Sequence, residues 1–155
     1  MPHDLDQFST ALQREGLHSA LGVLNEYTPH RFTGVYRFDG DMLRNIALFD
    51  RWSVDVKGGP DAPMAETFCA IVPKEGLWLE VVDGRADSRY PWMHENPVVC
   101  YCGALIKDDA GEPFGTVCHF DLQPCEAGSS QVPLLLAATP LIFQSLSERT
   151  ADTGR

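Results

Sequence analysis

The chain has 155 residues, 44% of them hydrophobic, enough to bury one full core, and its length points to a single domain spanning 1–155. With 22 acidic against 12 basic side chains, a formal charge of −10, it offers no basic stripe to neutralise phosphates, so neither nucleic acid nor a membrane surface is an expected partner. The opening "MPHDLDQFST" has no positive region followed by an apolar one, and no apolar run nears the roughly 20 residues of a spanning helix. A cytoplasmic protein is expected, and its odd count of 5 cysteines then favours reduced thiols over a disulfide framework.

In chain order, Leu5, Phe8, Leu12, Leu17, Leu21 and Leu24 recur at mostly helical spacing with a break near Gly16, which predicts two successive helices. "FTGVYRF" and "MLRNIALF" are β-rich runs joined at Asp39-Gly40, a strong hairpin signal. After the turn-rich "KGGPDAP", the segment "MAETFCAIVPKEG" predicts a short helix with Cys69 in its core, ended by Pro73 and Gly76. "LWLEVV" reads as a third strand. "DGRADSRYPWMHENP" carries turn formers and no period, a long loop with room for one helical turn, and loops of that length in compact domains tend to be functional. "VVCYCGALI" and "FGTVCHFD" make a second hairpin around "KDDAGEP". "SSQVPLLLAATPLIFQSLSERT" is helical in period, with Pro133 at its entry and Pro140 at a kink, and 150–155 read as a disordered tail. Five mostly antiparallel strands between terminal helices make an α+β layered domain. Its terminal helices lie on one face, and the loop and short helix cover a pocket on the other.

Four of these stretches, in order, resemble the GAF domain: "FTGVYRFDGDMLRNIALFDR", "ETFCAIV", "VVDGRADSRY" and "YCGALIKDDAGEPFGTVCHFD". The similarity spans 17–147. It implies a central antiparallel sheet in the order 2-1-5-4-3, a small-molecule pocket on one face, and terminal helices that often form a dimer interface, hence a homodimer. It specifies no ligand or cofactor, because GAF pockets accept cyclic nucleotides, tetrapyrroles, haem and metabolites. GAF domains usually sit beside a kinase, cyclase or transcription module, for which 155 residues leave no room. Either a signalling partner in trans or an activity of the domain itself is then expected. Standalone GAF enzymes such as the free methionine-(R)-sulfoxide reductases use cysteines around the pocket, but those positions do not align with the cysteines here. In bilin-binding GAF domains the Cys-His attachment pair lies on a helix, whereas Cys118-His119 falls in a predicted strand.

The second hairpin holds Cys100, Cys102 and Cys118, with Cys125 just beyond. With its turn centred on Ala110, Cys102 lies opposite Cys118 and Cys100 opposite Phe120. Alternation then places Cys100, Cys102 and Cys118 on one face with Ala104, Ile106, Phe114 and Thr116. Directly opposed Cβ atoms lie about 4.5 to 5.5 Å apart, so Cys102 and Cys118 could form a redox pair. The same pattern describes ordinary core, since free cysteine is a small hydrophobe, and no Lys or Arg adjoins these thiols to lower their pKa. Cys-x-Cys followed by Cys-His lacks the knuckle spacing of zinc sites and points His119 away from the thiols, so no metal site is expected. The opposite face presents Tyr101, Gly103, Gly115 and His119. It reads either as a pocket floor, with glycines leaving room beside hydrogen-bonding groups, or as close helix packing over a core histidine.

In the long loop Asp83, Arg89, Tyr90 and Trp92, with Arg85, Asp87 and His94, combine aromatic walls and polar tips suited to a lid over a small ligand. The aspartates are equally at home as turn formers. Arg51 and Trp52, just past the second strand, and Trp78 on the third stand near a pocket mouth, though tryptophan there is as often core. No Ser-His-Asp arrangement, phosphate-cradling loop or catalytic carboxylate pair stands out. The expected function is a GAF-type sensory domain that binds a small-molecule ligand between sheet and loop 83–96 and signals through its terminal helices. The alternative is a thiol-dependent oxidoreductase of the free methionine sulfoxide reductase type, with Cys102 and Cys118 as its pair.

Overall fold

The computed structural model describes residues 2–153, with side chains for 3–149. Helices α1 (Pro2–Arg14) and α2 (Leu17–Glu26) part at Gly16, whose φ of 100° no helix accommodates. Phe8 and Ala11 of α1 and Leu17, Ala20, Leu21 and Leu24 of α2 repeat every three or four residues, and that stripe is buried. Strands β1 (Phe32–Asp39) and β2 (Met42–Asp50) form the expected hairpin, its two-residue turn carrying Gly40 at φ 63°. The short β3 (Ala62–Pro63) pairs with the start of β2. A 3₁₀ turn at Met64–Glu66 leads to α3 (Val72–Glu75) and β4 (Trp78–Val81); a second, at Pro91–Met93, interrupts the long loop before β5 (Cys100–Lys107), β6 (Pro113–Asp121) and α4 (Val132–Thr153).

The sheet runs β3-β2-β1-β6-β5-β4, with every neighbouring pair antiparallel. Setting aside the two-residue β3, this is the 2-1-5-4-3 order. One face packs Val35, Cys102, Ala104, Ile106 and Val117 against the terminal helices, including Leu134, Leu135, Ala138 and Ile142 of α4. The other face packs Tyr101, Leu105 and Cys118 against Phe68, Val72, Tyr90 and Met93 from the connecting segments.

Three expectations are corrected. The helix over 64–76 shrinks to a 3₁₀ turn and the four-residue α3, because Pro73 sits in the first turn, where its missing N–H costs nothing, rather than at the end. Cys69 is accordingly buried in the connection before α3, outside any helix. At the other end, α4 continues through Thr153 over most of the segment read as a tail; 154–155 lie outside the described residues.

The third correction is the register of the second hairpin. Lys107 pairs with Pro113, as a turn centred on Ala110 requires, but a bulge between Ile106 and Lys107 leaves Phe114 without an opposite number. Beyond it Ile106 pairs with Gly115, Gly103 with Cys118, and Cys102 with His119. A one-residue slip sends a strand's side chains to the opposite face. Cys118 therefore points away from Cys102 and the expected redox pair does not form, while His119 joins Cys102 on the helix side.

Candidate ligand-binding site

On the face opposite the terminal helices a cavity of about 420 Å³ opens between the sheet and the segments 60–69 and 96–98. Alternation along β1 turns Phe32 and Tyr36 into it, and Leu43, Leu48, Phe68 and Phe120 complete its apolar wall. Exposed Glu66 and half-buried Thr67 and Asn96 mark the mouth, and buried Cys69, Tyr101 and Cys118 form the floor. The lining includes no lysine, arginine or histidine.

The floor is organised around the sulfur of Cys69. Tyr101 lies along its own strand over Gly103, where an added Cβ would come within 2.2 Å of the phenolic oxygen, so glycine is what gives the ring its place. From there the Tyr101 hydroxyl donates to Cys69 Sγ at 3.1 Å, and the Thr116 hydroxyl donates to the same sulfur at 3.1 Å. The Cys118 thiol is a third partner. Burial raises the Tyr101 phenol and the Cys118 thiol well above their ordinary values. Burial also opposes a Cys69 thiolate, yet the hydrogen bonds from Cys118, Thr116 and Tyr101 outweigh it and hold that thiol below its ordinary value. By contrast, burial pushes Cys102 up to about 12. Of the three free cysteines, Cys69 is the one whose thiolate is stabilised.

Of the residues singled out in the sequence, Tyr101 lines the cavity and Gly103 lies beneath its ring. His119 is buried on the helix side with Nδ1 2.7 Å from Thr33 Oγ1, and burial, with smaller effects from His30 and Arg51, lowers its pKa to about 3. The long loop is closed on itself: Asp83 pairs with Arg85 at 3.1 Å and Arg89 with Asp87 at 2.7 Å, while the buried Tyr90 donates to Glu75 at 2.9 Å. Trp92 is 65% exposed and meets Tyr90 edge-on. Asp83, Arg89, Tyr90 and Trp92 therefore stand outside the cavity, and within 83–96 only Asn96 reaches it. Asn96 Nδ2 donates to the Glu66 carbonyl at 2.7 Å and Oδ1 accepts from the Val98 amide at 2.9 Å, fastening one wall to the other. Arg51 is committed to the end of α2, bonding the carbonyls of Asn25 at 2.9 Å and Thr28 at 2.7 Å. Trp52 stacks on the Arg31 guanidinium at 4.1 Å, and Trp78 is half-exposed on the edge strand β4.

The sequence reading missed Cys69 as a site residue and the aromatic wall. The alternation of Phe32, Tyr36 and Phe38 in β1 carried the signal for the wall. It also missed a disulfide joining Cys100 and Cys125, whose Cα atoms lie 5.8 Å apart. After Asp121 the chain turns back, and the Cys125 amide donates to the Val82 carbonyl at 3.0 Å, which brings Cys125 to the start of β5.

An antiparallel sheet in this order, helices on one face and a cavity on the other, is the GAF fold. The chain is similar to the GAF domain of a phosphoenolpyruvate-protein phosphotransferase from Coxiella burnetii, with a TM-score of 0.73 and 13% identity over 99% of this chain and 96% of that one. It is similar to the free methionine-R-sulfoxide reductase of Neisseria meningitidis, solved in complex with its substrate, with a TM-score of 0.71 and 16% identity over 97% of this chain and 90% of that one. The chromophore-binding domain of a Stigmatella aurantiaca bacteriophytochrome matches with a TM-score of 0.69 and 12% identity, over 94% of this chain and 59% of that one. No family model and no curated protein matches the sequence. At such identities the likeness is one of fold, and no helix among the described residues is long and apolar enough to cross a membrane.

Proposed function

We propose that the chain is a cytoplasmic sensory domain that holds a small, uncharged, largely apolar molecule in the cavity and reports its presence through the terminal helices. The observation that carries this reading is the lining: a space of about 420 Å³ with aromatic and aliphatic walls, polar groups confined to floor and mouth, and no cationic side chain. A phosphate or carboxylate would lose its hydration there without gaining a cationic partner, and Glu66 at the mouth together with the net charge of −10 opposes anions further. A ligand with a hydrogen-bonding group at each end, one toward Tyr101 and one toward Asn96, fits best. By bridging floor and mouth it favours the arrangement in which segment 60–69 closes on the sheet, and strands shared with the helix-side core carry that shift to α4. A homodimer through the terminal helices and a signalling partner in trans complete the proposal.

The test is equilibrium dialysis against an extract of uncharged metabolites, followed by mass spectrometry of what the protein retains. Recovery of an unaltered compound is expected, and its conversion to product would sink the sensory reading. A second reading rests on the stabilised Cys69 thiolate, which points to thiol chemistry on a cavity-bound ligand with Cys118 as the neighbouring sulfur, in place of the Cys102 and Cys118 pair. Turnover lost in Cys69→Ser with binding retained would establish it.

A further inference from the structure

We propose that His30, Cys100 and Cys125, once the two cysteines are reduced, form a site for a thiophilic divalent cation of the zinc class. Their ligand atoms lie within 4.8 Å of one another, and none of the three residues lines the ligand cavity. His30 Nδ1 is 3.6 Å from Cys100 Sγ. A tetrahedral zinc with bonds of about 2.0 Å to nitrogen and 2.3 Å to sulfur has an N···S edge of about 3.5 Å, so the separation is that of coordination, and a rotation of the Cys100 side chain off the imidazole face brings its sulfur beside the Nδ1 lone pair. The other ring nitrogen, Nε2, is 3.9 Å from the same sulfur and 2.7 Å from Ser130 Oγ. Accepting from the Nε2–H, that hydroxyl serves as the outer partner of a metal-bound histidine in the tautomer that leaves Nδ1 free to coordinate.

Cys125 is the least enclosed member of the set. It is half-exposed and belongs to the irregular stretch 122–131 between β6 and α4, whereas Cys100 and His30 are fully buried. Opening the disulfide to the S···S edge of a zinc site, about 3.8 Å, therefore asks only side-chain rotation at the two cysteines, with the partly exposed Cys125 free to turn toward solvent. Charge also balances: two thiolates and a neutral imidazole around a divalent ion sum to zero, the condition for placing an ion where His30 and Cys100 are 1% and 0% exposed. The spacing within the second hairpin argued against a metal, because the ligand that completes the set comes from 70 residues earlier in the chain.

The disulfide and the metal site are two states of one pair of sulfurs. Metal binding releases the two thiol protons. With hydrogen peroxide as oxidant, the zinc-bound thiolates give up two electrons and join as the disulfide, H₂O₂ and two protons become two waters, and the cation leaves. The three ligands come from the segment before β1, the start of β5 and the approach to α4, so occupancy ties the helix on which output depends to the sheet.

The experiment uses the full chain, reduced with a phosphine, loaded with Zn²⁺ or Co²⁺ and dialysed. One zinc per chain is expected in the reduced protein and none in the oxidised protein, with Cys100 and Cys125 linked after peroxide. The cobalt form should show sulfur-to-cobalt charge transfer and a tetrahedral visible band. Cys125→Ser, at a half-exposed position expected to fold, should weaken binding by on the order of 100-fold. A reduced chain that stays metal-free, an affinity unchanged in Cys125→Ser, or a cobalt spectrum without sulfur charge transfer would overturn the site.

Discussion

Cys69 shows how three ordinary hydrogen bonds change what a buried thiol is. Burial alone would leave it as inert as Cys102, but donors from Tyr101, Thr116 and Cys118 converge on its sulfur. Alkylation with a small reagent should therefore modify Cys69 ahead of Cys102 and Cys118. Tyr101→Phe, which keeps the ring and removes one donor, should shift the pH-rate profile of that reaction upward; an unmoved profile would show that the hydroxyl contributes nothing. His119 offers a second residue-scale prediction. Its ordinary value of 6.5 falls to about 3 in the folded chain and that of His30 falls as well, so below pH 6.5 the unfolded chain binds more protons. Stability is full above the unfolded value and declines as pH drops, by up to about 1.4 kcal/mol per pH unit for each histidine. Urea unfolding between about pH 4.5 and 7 avoids most of the carboxylate titrations, and His119→Asn should flatten the slope there. None of this was legible from residue types, because the causes lie in burial and in partners distant in sequence, Tyr101 and Thr116 for Cys69 and His30 for His119.

Among the elements, those with a repeating pattern were the ones the sequence disclosed. The split helix pair at Gly16, the Asp39-Gly40 hairpin and α4 follow from apolar period and turn chemistry. The register of β5 on β6 did not, since a bulge at Phe114 leaves no mark on alternation, yet it decides which face each cysteine takes. The long loop was recognised as a loop, and it stands beside the cavity more than over it. Its Asp-Arg pairs satisfy each other locally, and only Asn96 at its end touches the cavity. Asn96→Ala should remove two hydrogen bonds, cost about 0.5 to 1.5 kcal/mol for each, and speed amide exchange across 64–69 while leaving α1 and α2 protected. Equal loss of protection in both places would mean that the wall is not held locally.

For the whole molecule, one sheet separates a closed core from an open one. Ile106 is sealed among the terminal helices, and Ile106→Ala should cost about 2 to 5 kcal/mol, whereas Leu43→Ala beside the cavity should fall at the lower end of that range, where walls can relax. The asymmetry is what allows one face to hold the fold while the other admits a ligand. The α+β class and the placement of the helices were readable from pattern, and the order of the main strands followed from the resemblance to the GAF domain. The face that holds the cavity was readable too, but the makeup of its outer wall was not, because segment 60–69 is a two-residue strand and a 3₁₀ turn, too short to carry a period. The most direct measurement is native mass spectrometry of the chain exposed to a metabolite extract, comparing wild type with Ala62→Trp, which fills the cavity, and Trp92→Ala, which alters the loop. A small molecule retained by wild type and Trp92→Ala and lost from Ala62→Trp is the predicted result. Retention by Ala62→Trp, with loss from Trp92→Ala, would place the ligand in the loop and contradict the account.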